Sequence, residues 1–207
     1  MDIVLSVFLI ILFSPVMLLA AIIIKITSPG PVLVEESNSH MRRVGKDGKI
    51  FRLYKFRSMP VNSDSILTRD PRFRKLFREW KKSNFKLHED PRVTKFGRLI
   101  RKYSIDETPQ FFNVLKGEMS IVGPRPYHVQ ELDEQQKVYP GTKKFVTETQ
   151  TVKPGITGQW QVTGRSNINF DKRIAMDAAY ARKKSICLDL VIIAKTPIAM
   201  ISGVGAV

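Results

Sequence analysis

The chain has 207 residues, 43% of them apolar and 26% charged, and 34 Lys and Arg against 19 Asp and Glu give a net charge of +15. Those values exclude disorder across the whole chain and leave room for one domain with a core, or a domain plus a membrane segment. A single cysteine, Cys187, excludes an internal disulfide framework, and three scattered histidines (His40, His88, His128) speak against a Cys- or His-ligated metal module.

Residues 1–34 hold one acid, Asp2, and one base, Lys25, so the basic excess belongs to the remainder. Between those two residues 19 of 22 positions are apolar, interrupted by Ser6, Ser14 and Pro15. As one straight helix the run reaches ~33 Å, enough to cross a bilayer. A cleaved signal peptide is disfavoured, because no basic region precedes the run and no small-x-small site precedes Lys25. Proline removes a backbone donor, so Ser14-Pro15 predicts a bend near the middle. A kinked spanning helix and a re-entrant hairpin both satisfy these constraints, and the segment taken alone favours the spanning helix.

Ser28-Pro29-Gly30-Pro31 ends that helix and divides the chain into a membrane segment, 1–27, and a polar body, 28–207. Residues 41–57 predict two short strands around a Lys46-Asp47-Gly48 turn. Extended period-two alternation places Phe51, Leu53, Lys55 and Arg57 on one face, where the two cations suit either an anion site or an ordinary solvated edge. Residues 71–87 predict a basic helix anchored by Phe73, Phe77 and Trp80. Residues 69–102 hold 13 bases against four acids. Such a helix suits an anionic lipid surface, a nucleic-acid groove, or simple docking with a charged outer face; the apolar segment before it favours lipid. Thr108 is expected to cap a short buried helix that opens with Pro109 and stops at Gly117. A Gly123-Pro124-Arg125-Pro126 turn follows, then a polar helix over 127–139. A glycine-rich loop with a short strand is expected over 153–166, and a helix over 170–183. The apolar tail, 188–207, carries Asp189, Lys195 and Pro197 and is expected to be packed or interfacial.

Chemistry concentrates at Asp106-Glu107. Acids before a helix often do no more than offset its dipole, and Ser104-x-x-Glu107 spells a capping box. Here, though, Arg98 and Arg101 lie just upstream, and Arg125 between two prolines is a fork preorganised for phosphate oxygens. Paired carboxylates also suit a hard cation such as Mg²⁺. Acids, guanidinium groups and a metal together describe phosphoryl transfer.

The run HEDPRVTKFGRLIRKYSIDETPQFFNVLKGEMSIVGPRP (88–126) resembles the core signature of the bacterial monotopic phosphoglycosyl transferases. The opening DIVLS and SPVMLLAAIIIKITSPGPV, the strand GKDGKIFRLYKFRSM and the later KPGITGQWQVTGRS agree with it. The resemblance implies an α+β fold: a mostly helical monotopic membrane protein with a re-entrant helix hairpin bent at Ser14 and Pro15, interfacial amphipathic helices and a short β-hairpin. It also implies transfer of a sugar 1-phosphate from a UDP-sugar to undecaprenyl phosphate, with UMP released, at the cytoplasmic face of the bacterial inner membrane. By the same carry-over Asp106 is the nucleophile and Glu107 a Mg²⁺ ligand beside it, with Asp106 able to share the ion. Lys55, Arg101 and Arg125 match basic active-site positions, and Arg165, Arg57 and Arg98 are expected to bind substrate. The 69–87 insert and the Gly-Arg-Ser turn lean toward hexose 1-phosphate.

Membrane lipids, the UDP-sugar and the polyprenyl phosphate are thus the expected partners. Nucleic acid is not among them, and a homodimer is left open. The rival from another class is a membrane-tethered basic binding protein in which Asp106-Glu107 merely caps a helix. It predicts affinity that falls steeply with salt, and no turnover. A P-loop kinase is disfavoured by the lack of its motif.

Overall fold

A computed structural model describes residues 1–34, 41–61, 63, 73, 74, 76, 78, 90–164 and 168–202. The basic helix expected over 71–87 falls mainly outside them, as does Arg165.

The apolar run forms one helix, α1 (Asp2–Thr27), which continues through Pro15. Among the described residues it is the helix long and apolar enough to cross a membrane. One stripe of α1 faces the body along its whole length: Leu5, Leu9 and Phe13 pack on one buried cluster, and Met17, Ala20 and Ile24 on another. Spacings of three and four residues keep these side chains on one face. The opposite face, including Ile3, Val4, Phe8, Ile11, Leu18 and Ile22, is exposed. An exposed apolar face of that size is stable only against lipid or another apolar surface.

Beyond the Ser-Pro-Gly-Pro break, β1 (Arg42–Val44) and β2 (Ile50–Arg52) form the expected antiparallel hairpin, with Arg43 opposite Phe51. Asp47 and Gly48 take positive φ in its turn. The second strand stops at Arg52, short of the expected Lys55 and Arg57. Here Asn113 replaces a partner strand: its Oδ1 accepts Tyr54 N–H at 2.9 Å and its Nδ2 donates to Arg52 O at 2.6 Å.

Helix α2 (Lys95–Lys102) is capped by Thr94, whose hydroxyl accepts Gly97 N–H. After a left-handed Ser104 comes a 3₁₀ turn, Ile105–Glu107, and then α3 (Gln110–Leu115). Thr108 is therefore not the N-cap expected from sequence. It is itself helical, and its hydroxyl donates to Ile105 O. Gly117, at φ +76°, stops α3 as expected.

The core around α3 holds a pairing of distant segments, β3 (Ser120–Val122) parallel to β4 (Gly155–Thr157). Helices α4 (Val129–Val138) and α5 (Lys143–Thr149) lie between these strands in sequence; α6 (Gln159–Thr163), α7 (Phe170–Lys183) and α8 (Ile186–Ser202) follow. Among the described residues the tail is thus one helix, continuing through Pro197 to Ser202. Its buried Asp189 accepts a hydrogen bond from Tyr180, while Ile186, Leu190 and Ile198 are exposed. Mostly helical with two small sheets among the described residues, the fold has the expected α+β class.

Candidate active site

The turn from Ile105 to Glu107 joins an apolar cluster to a charged one. Ile105 packs with Ala20, Ile24, Phe56 and Ile100. Asp106, the next residue, is 2% exposed and reaches Lys55, whose Nζ is 2.9 Å from its Oδ2 and 3.3 Å from Glu107 Oε1. One ammonium thus bridges both carboxylates. Its backbone is fixed on two sides: Lys55 O accepts Val34 N–H, and Phe56 N–H donates to Asp106 O.

Burial pushes the Asp106 carboxyl above its usual range, aided by the Glu107 charge and opposed by Lys55 and Arg101. For Glu107, burial acts the same way. It is outweighed by Lys55 and Arg125, with Arg43 adding to the pull, so this carboxyl titrates below its usual range. The two neighbours are split in proton affinity by their surroundings.

Of the expected cations, Arg101 joins Lys55 here. Its Nε donates to Ser58 Oγ at 2.9 Å, and Asp106 lies in its field. Arg125 faces Glu107 electrostatically and is held by its surroundings. Its backbone N–H donates to Asp177 at 3.2 Å, and its guanidinium lies 6.0 Å from the Trp160 ring centre, with Arg173 at 5.2 Å from the same ring. The Gly-Pro-Arg-Pro turn that carries it is pinned against β4. Gly123 N–H donates to Thr157 O and Gly155 N–H to Pro124 O, and a Cβ on Gly155 would collide with the Gly123 backbone. That contact explains the glycines of Lys-Pro-Gly-Ile-Thr-Gly: they let two backbones touch.

Arg57 and Arg98, expected to bind substrate, differ sharply in their surroundings. Arg57 is buried, with its guanidinium on Ser28 O and Pro29 O at the exit of α1. Arg98 stands exposed on α2.

The structure adds residues that sequence reasoning passed over. Arg43, 7% exposed on β1, donates to Pro126 O and lies in the fields of Arg125, Glu131 and Glu107. Burial next to Arg125 lowers its pKa to about 9. Asp177, fully buried on α7, backs Arg125; burial pushes its carboxyl up to about 7 against Arg125, the Trp160 N–H and Arg173. Asn113 and Ser58 hold the segment bearing Lys55 and the Arg101 side chain. A polar Asn inside the apolar run Phe111–Leu115 was the one local sign of them.

Among the described residues no three His, Cys, Asp or Glu side chains gather as a metal-binding group. Asp106 and Glu107 are nonetheless adjacent hard-oxygen donors, and Mg²⁺ is commonly held by one or two carboxylates plus substrate phosphates and water. The donor set fits the ion. In all, the site is an ionisable carboxylate among cations, next to a residue that packs on an apolar helix: chemistry suited to attack on a phosphorus whose oxygens carry negative charge.

A family model described as bacterial sugar transferase matches residues 1–203. The chain is 42% identical to an undecaprenyl-phosphate galactose phosphotransferase of Salmonella typhimurium, over 94% of its own length and 38% of that protein's. It is 41% identical, over its full length and 44% of the relative's, to an Aeromonas hydrophila UDP-N-acetylgalactosamine-undecaprenyl-phosphate N-acetylgalactosaminephosphotransferase. A UDP-glucose:undecaprenyl-phosphate glucose-1-phosphate transferase of Escherichia coli is 37% identical over 93% of the chain and 37% of that protein. The chain therefore spans less than half the length of these relatives.

Proposed function

Because this chain belongs to the bacterial sugar transferase family, we propose that it transfers a sugar 1-phosphate from a UDP-sugar to undecaprenyl phosphate through a covalent aspartyl intermediate. One observation carries the proposal: the buried Asp106 carboxylate meets Lys55 at 2.9 Å on a turn whose preceding side chain, Ile105, packs on α1. A merely capping carboxylate has no need of burial among cations, so the rival binding protein accounts less well for this turn.

In the first step an Asp106 oxygen attacks the sugar-bearing phosphorus. The Asp–O–P bond forms, the bond to the bridging oxygen breaks, and UMP departs with the electron pair. In the second step an oxygen of undecaprenyl phosphate attacks the same phosphorus. The acyl phosphate bond breaks, the carboxylate is regenerated and a polyprenyl diphosphosugar is released. Each step passes one anion to another, so cations are the catalytic requirement. Lys55 and Arg101 offset charge around Asp106, and Arg125, with Arg43 behind it, would hold donor phosphates. Asp106 and Glu107 would hold Mg²⁺, which supplies further charge neutralisation when bound.

The membrane placement follows as part of the proposal. Both ends of α1 contact one body, and its outer face is apolar. A helix that re-enters the bilayer from the cytoplasmic leaflet, bent at Ser14-Pro15, keeps both ends and the dyad at one boundary. A soluble donor and an embedded acceptor can then share one site. The relatives named above use galactose, N-acetylgalactosamine and glucose derivatives, so hexose 1-phosphate is the proposed class of cargo.

The test offers radiolabelled UDP-sugars and undecaprenyl phosphate with Mg²⁺. UMP release, a lipid-linked sugar and a hydroxylamine-labile adduct on Asp106 are the expected results. Lipid product without an Asp106 adduct removes the covalent step, and no turnover with any UDP-sugar removes the transferase.

A further inference from the structure

The segment leaving α1 is stitched to the extended segment after β2 that bears Lys55. Val34 N–H donates to Lys55 O at 3.0 Å, and Arg57 N–H donates to Val32 O at 2.9 Å. The Arg57 guanidinium then closes the joint, with Nη2 2.6 Å from Ser28 O and Nη1 2.5 Å from Pro29 O. Ser28 and Pro29 immediately follow α1, so a buried cation covers carbonyls at the negative end of an apolar helix. Gly30, at φ +118°, lets the chain curl around that side chain; a Cβ there would meet Arg57 Nη1.

The other end of α1 has its own fastening. Asp2 accepts from Ser120 Oγ at 2.8 Å and from Ile121 N–H at 3.2 Å. These residues open β3, the strand that leads into the Arg125 turn. Each fastening is thus a few residues from a cation of the site, and the next backbone link from the Arg57 side, Phe56 N–H to Asp106 O, is 2.9 Å.

We infer that Arg57 and Asp2 are positioning residues that clasp the two ends of α1 to the body and so set the height of Asp106 against the lipid phosphate. The inference rests on the transferase reading above. Its consequence is a split between half-reactions. A soluble donor reaches the dyad at any height, whereas an acceptor phosphate held at the bilayer surface reaches it only when α1 and the turn keep their relative position.

The experiment uses the full chain in nanodiscs, with Arg57→Gln, Arg57→Lys and Asp2→Ala variants. Three quantities are read: the UMP burst without acceptor, transfer to long-chain embedded polyprenyl phosphate, and transfer to a short, water-soluble prenyl phosphate. Embedding depth is read separately, by brominated-lipid quenching of bimane on Leu99→Cys in a Cys187→Ser background. In Arg57→Gln and Asp2→Ala, long-chain transfer is expected to fall about tenfold while the burst and the short-chain reaction stay within about twofold. Quenching shifts with the loss, and Arg57→Lys, which keeps one donor to these carbonyls, lies between.

Unchanged long-chain transfer overturns the inference. So does a parallel fall of burst and transfer with unchanged quenching, which would make Arg57 a residue of the chemistry or of folding alone. Should the parent give no burst with any UDP-sugar, the transferase reading fails, and an unshifted quench in the variants still decides against the clasp.

Discussion

Ile105 and Asp106 are consecutive and belong to opposite environments: the first is packed against Ala20 and Ile24 of the apolar helix α1, the second paired at 2.9 Å with the Lys55 ammonium. The 3₁₀ turn achieves this with no strand or long helix, because its tight winding sends neighbouring side chains to different sides. Replacing Asp106 by Asn keeps the shape of the turn and removes the proposed nucleophile. Asp106→Asn is therefore expected to form no sugar-phosphorylated enzyme by mass spectrometry while sedimenting with membranes as the parent does. Full activity in that variant would take Asp106 out of the mechanism.

The pH dependence of the first step carries the mark of the cage. The proposed attack needs an ionised Asp106, and burial raises its pKa, so UMP release is expected to fall on acidification at a pH above the ordinary carboxylate range. Lys55 opposes that rise. In Lys55→Met the limb moves to still higher pH, and the rate on its plateau drops as well, about 10²-fold for a lost charge partner. Single-turnover UMP release against pH, at fixed Mg²⁺, measures both. A limb that stays in place without Lys55 would break the link between the pair.

Much of this site was legible locally. The hairpin around Lys46-Asp47-Gly48, the apolar helix and the Asp106-Glu107 dyad are contiguous signals, and the folded chain carries each where the residues indicated. Arg57 shows where local reasoning stops. Period-two alternation put it beside Lys55, but Asn113 takes over the hydrogen bonds of Arg52 and Tyr54, the strand ends, and Arg57 turns to Ser28 and Pro29. The β3–β4 pairing, and with it the collar of Arg43, Trp160, Arg173 and Asp177 around Arg125, joins segments with no periodic relation. No window of sequence contains them together.

Asp177 gives a stability prediction whose sign is fixed by linkage. Its native pKa is raised from 3.8 to about 7, so between those values the folded chain binds the proton more tightly than the unfolded chain. Stability from this group is therefore present at low pH and is lost as pH rises toward 7, by a few kcal/mol in all. Asp177→Asn abolishes the titration while keeping an acceptor for Arg125 N–H. Relative to the parent, its melting temperature is expected to be higher at pH 8 than at pH 5. Its UMP release falls, because Arg125 and Arg173 lose a counter-charge. An equal change in melting temperature at both pH values would show that this carboxyl does not titrate in the native state.

Gly155 tests whether the Arg125 turn must be held close to β4. A methyl group there would overlap the Gly123 nitrogen and Thr157 oxygen, both backbone atoms that cannot swing aside as a side chain could. The two strands must separate, and Arg125 moves with its turn. Gly155→Ala is expected to lower stability by about 1–3 kcal/mol, the usual cost of overpacking. It should also raise KM for the donor more than it lowers kcat, since phosphate holding suffers before the Asp106 attack does. Gly141→Ala, where nothing lies within 4 Å of the added carbon, is the matched control and should change neither. Denaturant unfolding beside donor kinetics separates the two effects. A Gly155→Ala enzyme with its donor KM intact would mean that Arg125 does its work without the glycine contact.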